Sequence, residues 1–345
     1  METYAGIDLH SSNNFIGVIN DKDKILYGKR HANRLDDVLR ALDPFKDSLK
    51  GVVVESTFNW YWLVDGLQEH GYRLHLANPS AIQQYEGLKH TDDPWDSFWL
   101  AHMYRLGILP EGYIYPKEHR AVRDLLRRRL LFVRHSTAHI LSLQSMISRN
   151  LGFKMSNNEI KKLKPADIES LFDCSNLVFM ANNSLAAIEF LQKITKGIEK
   201  KVKSQVKLRK EFEMLLTIPG IGNILGLTIN LEVGNIGRFP KVGDYSSYCR
   251  CVESKRLSNG KKKGENNKKN GNKYLAWAYV EAAQFARRYC VKAQSFYQSK
   301  EAKTKPVVAI KALSNKLSKA SYYIMRDQVA FDEDKLFGLS VWLRQ

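Results

Sequence analysis

Four carboxylates in this chain have the placement that phosphodiester chemistry needs. Asp8 lies in the middle of a strand pattern, Gly6-Ile7-Asp8-Leu9-His10, and Glu55 closes the apolar run Val52-Val53-Val54-Glu55. An acid at the buried end of a hydrophobic strand is costly unless it is paired or binds a cation. Two such acids on neighbouring strands suggest a shared hard cation, and Mg²⁺ takes carboxylates and water. Asp93 and Asp96, three apart at a helix start, can face the same way. Four converging acids repel one another unless cations intervene. A two-metal site about 3.5–4 Å across would activate an attacking oxygen and stabilise a leaving one. Bland readings stand beside these. Either strand acid alone also reads as a solvent-facing strand end. Asp93 as N-cap, Pro94 at the first helical position and Asp96 at the third form a capping arrangement without chemistry.

The elements that must hold these acids are legible in outline. Tyr4–Leu9, Phe15–Ile19 and Ile25–Gly28 read as a three-stranded meander, Leu35–Leu42 as an amphipathic helix, and Val52–Val54 as a buried strand. Trp60–His70 reads as helix, Arg73–Ala77 as strand, Pro79–Gly87 as a short helix and Asp93–Leu106 as helix. That order predicts a ribonuclease-H-like α/β domain over 1–115. From Pro116 the period becomes helical: Arg120–Leu151, then Ser184–Leu216 with a heptad-like apolar series. This predicts a helical, coiled-coil region over 116–212, pairing within the chain or with a second copy. The region 153–183 gives no clear pattern. A mostly helical C-terminal domain over 213–345 opens on Ile218-Pro219-Gly220-Ile221-Gly222, a helix-hairpin-helix-like turn. Residues 255–273 carry eight Lys or Arg against Glu265 alone and predict an exposed loop. Tyr274–Arg288 and Lys305–Arg326 read as helices.

Charge agrees with a nucleic-acid partner. The 345 residues carry 54 Lys+Arg and 36 Asp+Glu, net +18, while 44 % hydrophobic residues exclude a wholly disordered basic chain. The surplus is segregated: residues 1–110 hold 11 basic and 15 acidic residues, so all of it lies beyond them. The four cysteines, Cys174, Cys249, Cys251 and Cys290, do not form a disulfide framework, and Cys249-x-Cys251 lacks zinc-site spacing. Neither a signal peptide nor a long apolar run is apparent, so a cytoplasmic protein without membrane contact is expected.

In order and spacing these motifs resemble the IS-one-ten family of insertion-sequence transposases, in particular its IS-eleven-eleven branch. They are Gly6-Ile-Asp-Leu-His, Val52-Val-Val-Glu-Ser, Gly87-Leu-Lys-His-Thr-Asp-Asp-x-x-Asp-x-Phe-Trp-Leu-Ala, Ile218-Pro-Gly-Ile-Gly and Ser258-Asn-Gly followed by Asn270-Gly-Asn-Lys-Tyr-Leu. The resemblance implies a RuvC-like N-terminal domain whose Asp-Glu-Asp-Asp set, carried over, is Asp8, Glu55, Asp93 and Asp96, holding Mg²⁺. Asp92 competes with Asp93, which preserves the two-residue gap to Asp96. Ser97 stands where the family usually has Ala. The resemblance also implies a nucleophilic serine in the C-terminal transposase domain, here Ser258, with Ser254 as competitor. Such a serine needs a base or a strongly cationic setting, which Lys261, Lys262 and Lys263 would supply. A phosphoserine link would conserve the phosphodiester's energy for rejoining. A structured non-coding bridge-type RNA is the implied guide, pairing with donor and target DNA.

The helix carrying Arg120, Arg123, Arg127, Arg128, Arg129 and Arg134 would suit backbone contacts to that RNA, or would be a solvated face. Gly220 and Gly222 would bring backbone N–H groups to a phosphate, or make a plain tight turn. The expectation is an RNA-guided DNA transposase/recombinase working as a dimer or tetramer. The alternatives are a RuvC-like Mg²⁺-dependent endonuclease such as a junction resolvase, without serine chemistry, and a non-catalytic nucleic-acid-binding protein.

Overall fold

A computed structural model describes residues 1–82, 93–205, 210–252, 256–259, 261–264 and 270–338. The chain divides into two compact units, Met1–Lys117 and Glu118–Gln345.

The first unit is built on one mixed sheet of β1 (Thr3–Leu9), β2 (Asn13–Asn20), β3 (Ile25–Ala32), β4 (Leu49–Glu55) and β5 (Leu74–Ala77), in the order β3-β2-β1-β4-β5. β1, β2 and β3 pair antiparallel as the predicted meander, while β4 and β5 join in parallel. This agrees with a RuvC-like domain. Alternation sorts the side chains by face. Ala5, Ile7, Leu9, Val52 and Val54 enter one core with Val38 and Leu42 of α1 (Leu35–Leu42) and Leu63 and Leu67 of α2 (Tyr61–Glu69). The intervening positions face the opposite layer. After α3 (Pro79–Ile82), that layer is formed by α4 (Asp93–Arg105), whose Leu100 and Met103 pack with Val53.

α4 reaches the sheet over a row of glycines. Gly6, Gly17 and Gly28 are register partners on β1, β2 and β3. A Cβ on Gly6 would stand 1.9 Å from the Ser97 carbonyl oxygen, and one on Gly28 would stand 2.7 Å from the Phe98 ring. At the far end of α4, Asp23 in the β2–β3 turn accepts from Arg105 Nε at 2.7 Å and lies 2.8 Å from His102 Nδ1.

The second unit is almost entirely helical. Helices α5 (Lys117–Leu151) and α8 (Ser175–Gln205) run antiparallel: Leu126 shares a cluster with Val202 at one end, and Ile140, Leu143 and Ile147 share one with Ala181, Leu185 and Ile188 at the other. Leu185, Ile188, Ile198 and Val202 of the heptad-like series pack in these clusters with residues of α5. The unreadable stretch 153–183 holds α6 (Asn157–Ile160), opened by a Ser156/Glu159 capping box, α7 (Pro165–Leu171) and the start of α8. Then follow α9 (Lys210–Leu215), α10 (Asn223–Val233), α11 (Val242–Tyr248), α12 (Lys273–Tyr289), α13 (Val291–Glu301), α14 (Pro306–Asp327) and α15 (Glu333–Phe337), which surround a core that includes Ile218, Tyr245, Tyr279 and Leu313. Among the described residues, no helix is long and apolar enough to cross a membrane.

One expectation changes. Within 255–273 the chain is not a plain loop: β6 (Arg256–Ser258) and β7 (Lys261–Gly264) pair antiparallel, Ser258 opposite Lys261. Lysine-rich strands carry little β propensity. The signal in the sequence is the Asn-Gly dipeptide at 259–260, a type that favours two-residue hairpin turns, and Asn259 adopts φ +52°.

Candidate active site

Asp8 sits at the end of β1. Ile7 pairs with Val54 in parallel, so the next register brings Asp8 beside Glu55 at the carboxyl ends of the two strands. Both occupy positions that alternate onto the α4 face, in register with Gly6 and Val53. Asp96 precedes Ser97, the residue whose carbonyl lies over Gly6, so α4 delivers the third acid to the same face. The glycine row is therefore what lets α4 approach the sheet so closely at Ser97, next to Asp96. Ser97 is fully buried between α4 and the sheet, where a small side chain is required.

Asp8 is only 2 % exposed, whereas Glu55 and Asp96 are half-buried. Asp8 Oδ2 lies 3.1 Å from His10 Nε2, without the alignment of a hydrogen bond. The His10 carbonyl accepts from Asn33 Nδ2 and from Asn59 Nδ2, each at 3.0 Å, which fixes the chain just beyond Asp8. His10 and its two asparagines were not singled out from sequence; the His two residues after the strand acid was their one signal. The backbone of Asp93 begins α4, its side chain is not described, and Asp92 lies outside the described residues. Among the described residues, no three acidic, His or Cys side chains already form a metal cluster. The donor chemistry nevertheless suits a hard divalent cation: all-oxygen donors on one face, with a buried carboxylate oxygen whose neighbour is a misaligned imidazole.

The second unit holds the remaining candidates. Ser258 is the last strand residue before the Asn-Gly turn and is paired in register with Lys261, while Ser254 lies outside the described residues. Lys262 and Lys263 continue β7. The arginines of α5 separate by environment. Arg123 is buried, Arg128 is exposed, and Arg127 is committed internally. Arg127 Nε donates to Glu232 Oε1 at 2.6 Å and Nη2 to Oε2 at 2.7 Å, with the guanidinium carbon 4.6 Å from the centre of the Tyr274 ring. Glu232 is itself 2 % exposed, and sequence patterning gave no hint of it.

The two hairpin glycines also separate. Gly220 has φ +88° and lies against α12, where a Cβ would stand 2.2 Å from the Ala282 carbonyl oxygen; that is a packing requirement. Gly222 is open, caps α10, and lines a groove of about 550 Å³ with Asn223, Phe285 and Tyr289. The buried cysteines are inert in character. Burial pushes the Cys251 thiol up to about 11 and also raises Cys249 well above the ordinary thiol value.

Two family models match the chain: a DEDD-type "Transposase" model over residues 5–150 and "Transposase IS116/IS110/IS902 family" over residues 212–298. The chain belongs to the IS110 (IS-one-ten) family of insertion-sequence transposases. No curated protein matches it. The transposase is thus an enzyme acting on DNA in transposition, and the DEDD family implies a divalent metal. The first match contains the sheet, Asp8, Glu55 and α4; the second contains the turn at Gly220, Glu232 and the Ser258 hairpin.

Proposed function

We propose that this transposase cuts and rejoins the DNA of its insertion sequence under the guidance of a bridge-type non-coding RNA, with Mg²⁺ held by Asp8, Glu55, Asp93 and Asp96 and Ser258 as nucleophile. The observation that supports it is the seating of α4 on the glycine row at Ser97, the residue after Asp96, on the sheet whose adjoining strands end in Asp8 and Glu55. The bound Mg²⁺ would supply positive charge against the phosphodiester and an activated oxygen. Asp8 contributes a carboxylate already withdrawn from water, one oxygen of which has no aligned hydrogen-bond donor.

In strand transfer, Ser258 Oγ forms a bond to phosphorus, the bond from phosphorus to one deoxyribose oxygen breaks, and that oxygen leaves as a hydroxyl carrying a proton. The serine proton passes to solvent or a base. Rejoining reverses the exchange, with a new deoxyribose hydroxyl displacing Ser258. A position beside the hairpin turn, opposite Lys261, supports this reading, since ammonium groups there neutralise phosphate charge. RNA and DNA backbones are assigned to Arg128, Lys261, Lys262, Lys263 and the open turn at Gly222. The exposed Phe179 and Phe190 on α8 support a homo-oligomer, dimer or tetramer.

The test is joining of donor to target DNA by purified protein with the RNA that copurifies with it. Sequencing should match that RNA to DNA flanking the gene, and Asp8→Asn or Mg²⁺ removal should abolish joining. RNA-independent joining, or unguided cutting without joining, would contradict the proposal, the latter in favour of a nuclease.

A further inference from the structure

A buried polar network joins the chain segments that precede and follow the Ser258 hairpin. In sequence, Tyr248 precedes the hairpin and Asn272 follows it. Asn272 N–H donates to the Tyr248 carbonyl at 2.6 Å, and Arg250 Nη2 donates to the Gly271 carbonyl at 2.9 Å, so the two stems are laced together. Gly271 permits this contact: its φ is +84°, and a Cβ would stand 2.5 Å from the Tyr248 carbonyl oxygen. Asn272 also caps α12, its Oδ1 accepting from the Tyr274 and Leu275 amides at 2.8 and 3.1 Å. Its remaining amide group donates to Glu232 Oε2 at 2.8 Å, the carboxylate that Arg127 grips with two bonds.

A buried ion pair is poor value as a source of stability, because apolar residues of the same volume do as well or better. What it supplies is a single allowed geometry. We propose that Glu232, with Arg127 and Asn272, is a positioning centre that fixes the root of the hairpin and so aims Ser258 at the phosphodiester. This rests on the assignment of Ser258 as nucleophile. Glu232 touches no reacting atom; it acts through Asn272.

Two variants test it in full-length protein carrying its copurified RNA. Asn272→Asp keeps the helix cap, since Asp caps as well as Asn, but sets a second carboxylate against Glu232. Glu232→Gln keeps the shape and removes the charge. Amide exchange in peptides spanning 246–275 is expected to quicken at least about tenfold in both, with the β1–β5 sheet and α14 unchanged. The single-turnover rate of protein–DNA adduct formation should fall at least about tenfold while the DNA Kd stays within about twofold, a split that a merely structural role would not produce. Wild-type exchange and adduct rates in Asn272→Asp would overturn the proposal. So would protection lost equally across α12 to α14 together with DNA binding. An adduct that survives Ser258→Ala overturns the serine assignment instead, and the exchange comparison still decides whether the three residues set the hairpin root.

Discussion

Asp8 presents a buried carboxylate oxygen to an imidazole 3.1 Å away that does not align with it, so that oxygen has no hydrogen-bond partner. Asp8→Asn keeps the shape and removes the carboxylate charge. DNA cleavage should fall at least about 100-fold, while the thermal midpoint stays level or rises. The midpoint of the natural protein should climb with added Mg²⁺, and that of the variant should not. An equal Mg²⁺ response in both would place the metal elsewhere. The thiols offer a separate check of burial. Cys174 is exposed, whereas Cys249, Cys251 and Cys290 are buried with raised pKa values. Iodoacetamide at pH 8 should therefore label Cys174 alone in the native protein, as peptide mass mapping would read. At this scale the sequence was informative where an acid interrupts an apolar run, as at Asp8 and Glu55. It was silent on Glu232, which sits in an ordinary apolar helix pattern and becomes a buried partner only when α5 and α12 converge on it.

The seating of α4 on the sheet decides where Asp96 goes. Gly6→Ala would drive a Cβ into the Ser97 backbone and should cost about 1–3 kcal/mol by chemical denaturation, with cleavage falling further than stability explains. Gly197→Ala, in open space on α8, should instead stabilise by about 0.5–1 kcal/mol. The far end of α4 is pinned by Asp23. Burial raises its pKa, but hydrogen bonds from His102 and Arg105 outweigh this and hold it below the ordinary value. A depressed carboxyl contributes stability above its unfolded pKa and loses it as pH falls through the native one. Stability of the natural protein should therefore drop below about pH 4 more steeply than that of Asp23→Asn, by well under about 1 kcal/mol because the pair is partly exposed. The succession of elements along the chain and most helices were readable from alternation and period; the place of β4 and β5 in the sheet was not. The glycine row was not, because its three members are 11 residues apart and meet only through pairing register. The β6–β7 hairpin was hidden by its lysines, although Asn259-Gly260 marked its turn.

Across the whole chain, the surplus of positive charge lies beyond residue 110, while the first unit carries the acids. Such segregation suits one module that concentrates carboxylates and another that holds nucleic-acid backbone. RNA and DNA binding should accordingly weaken steeply as salt rises, whereas an isolated sheet acid substituted by its amide should leave that slope unchanged. Under the proposed function a serine, not water, opens the phosphodiester. That claim is tested most directly by trapping the protein–DNA adduct under denaturing conditions and mapping the modified peptide by mass. A phosphodiester-linked adduct on Ser258 is expected, absent from Ser258→Ala and retained in Ser254→Ala. Cut DNA with free ends and no adduct, or an adduct that persists in Ser258→Ala, would contradict it.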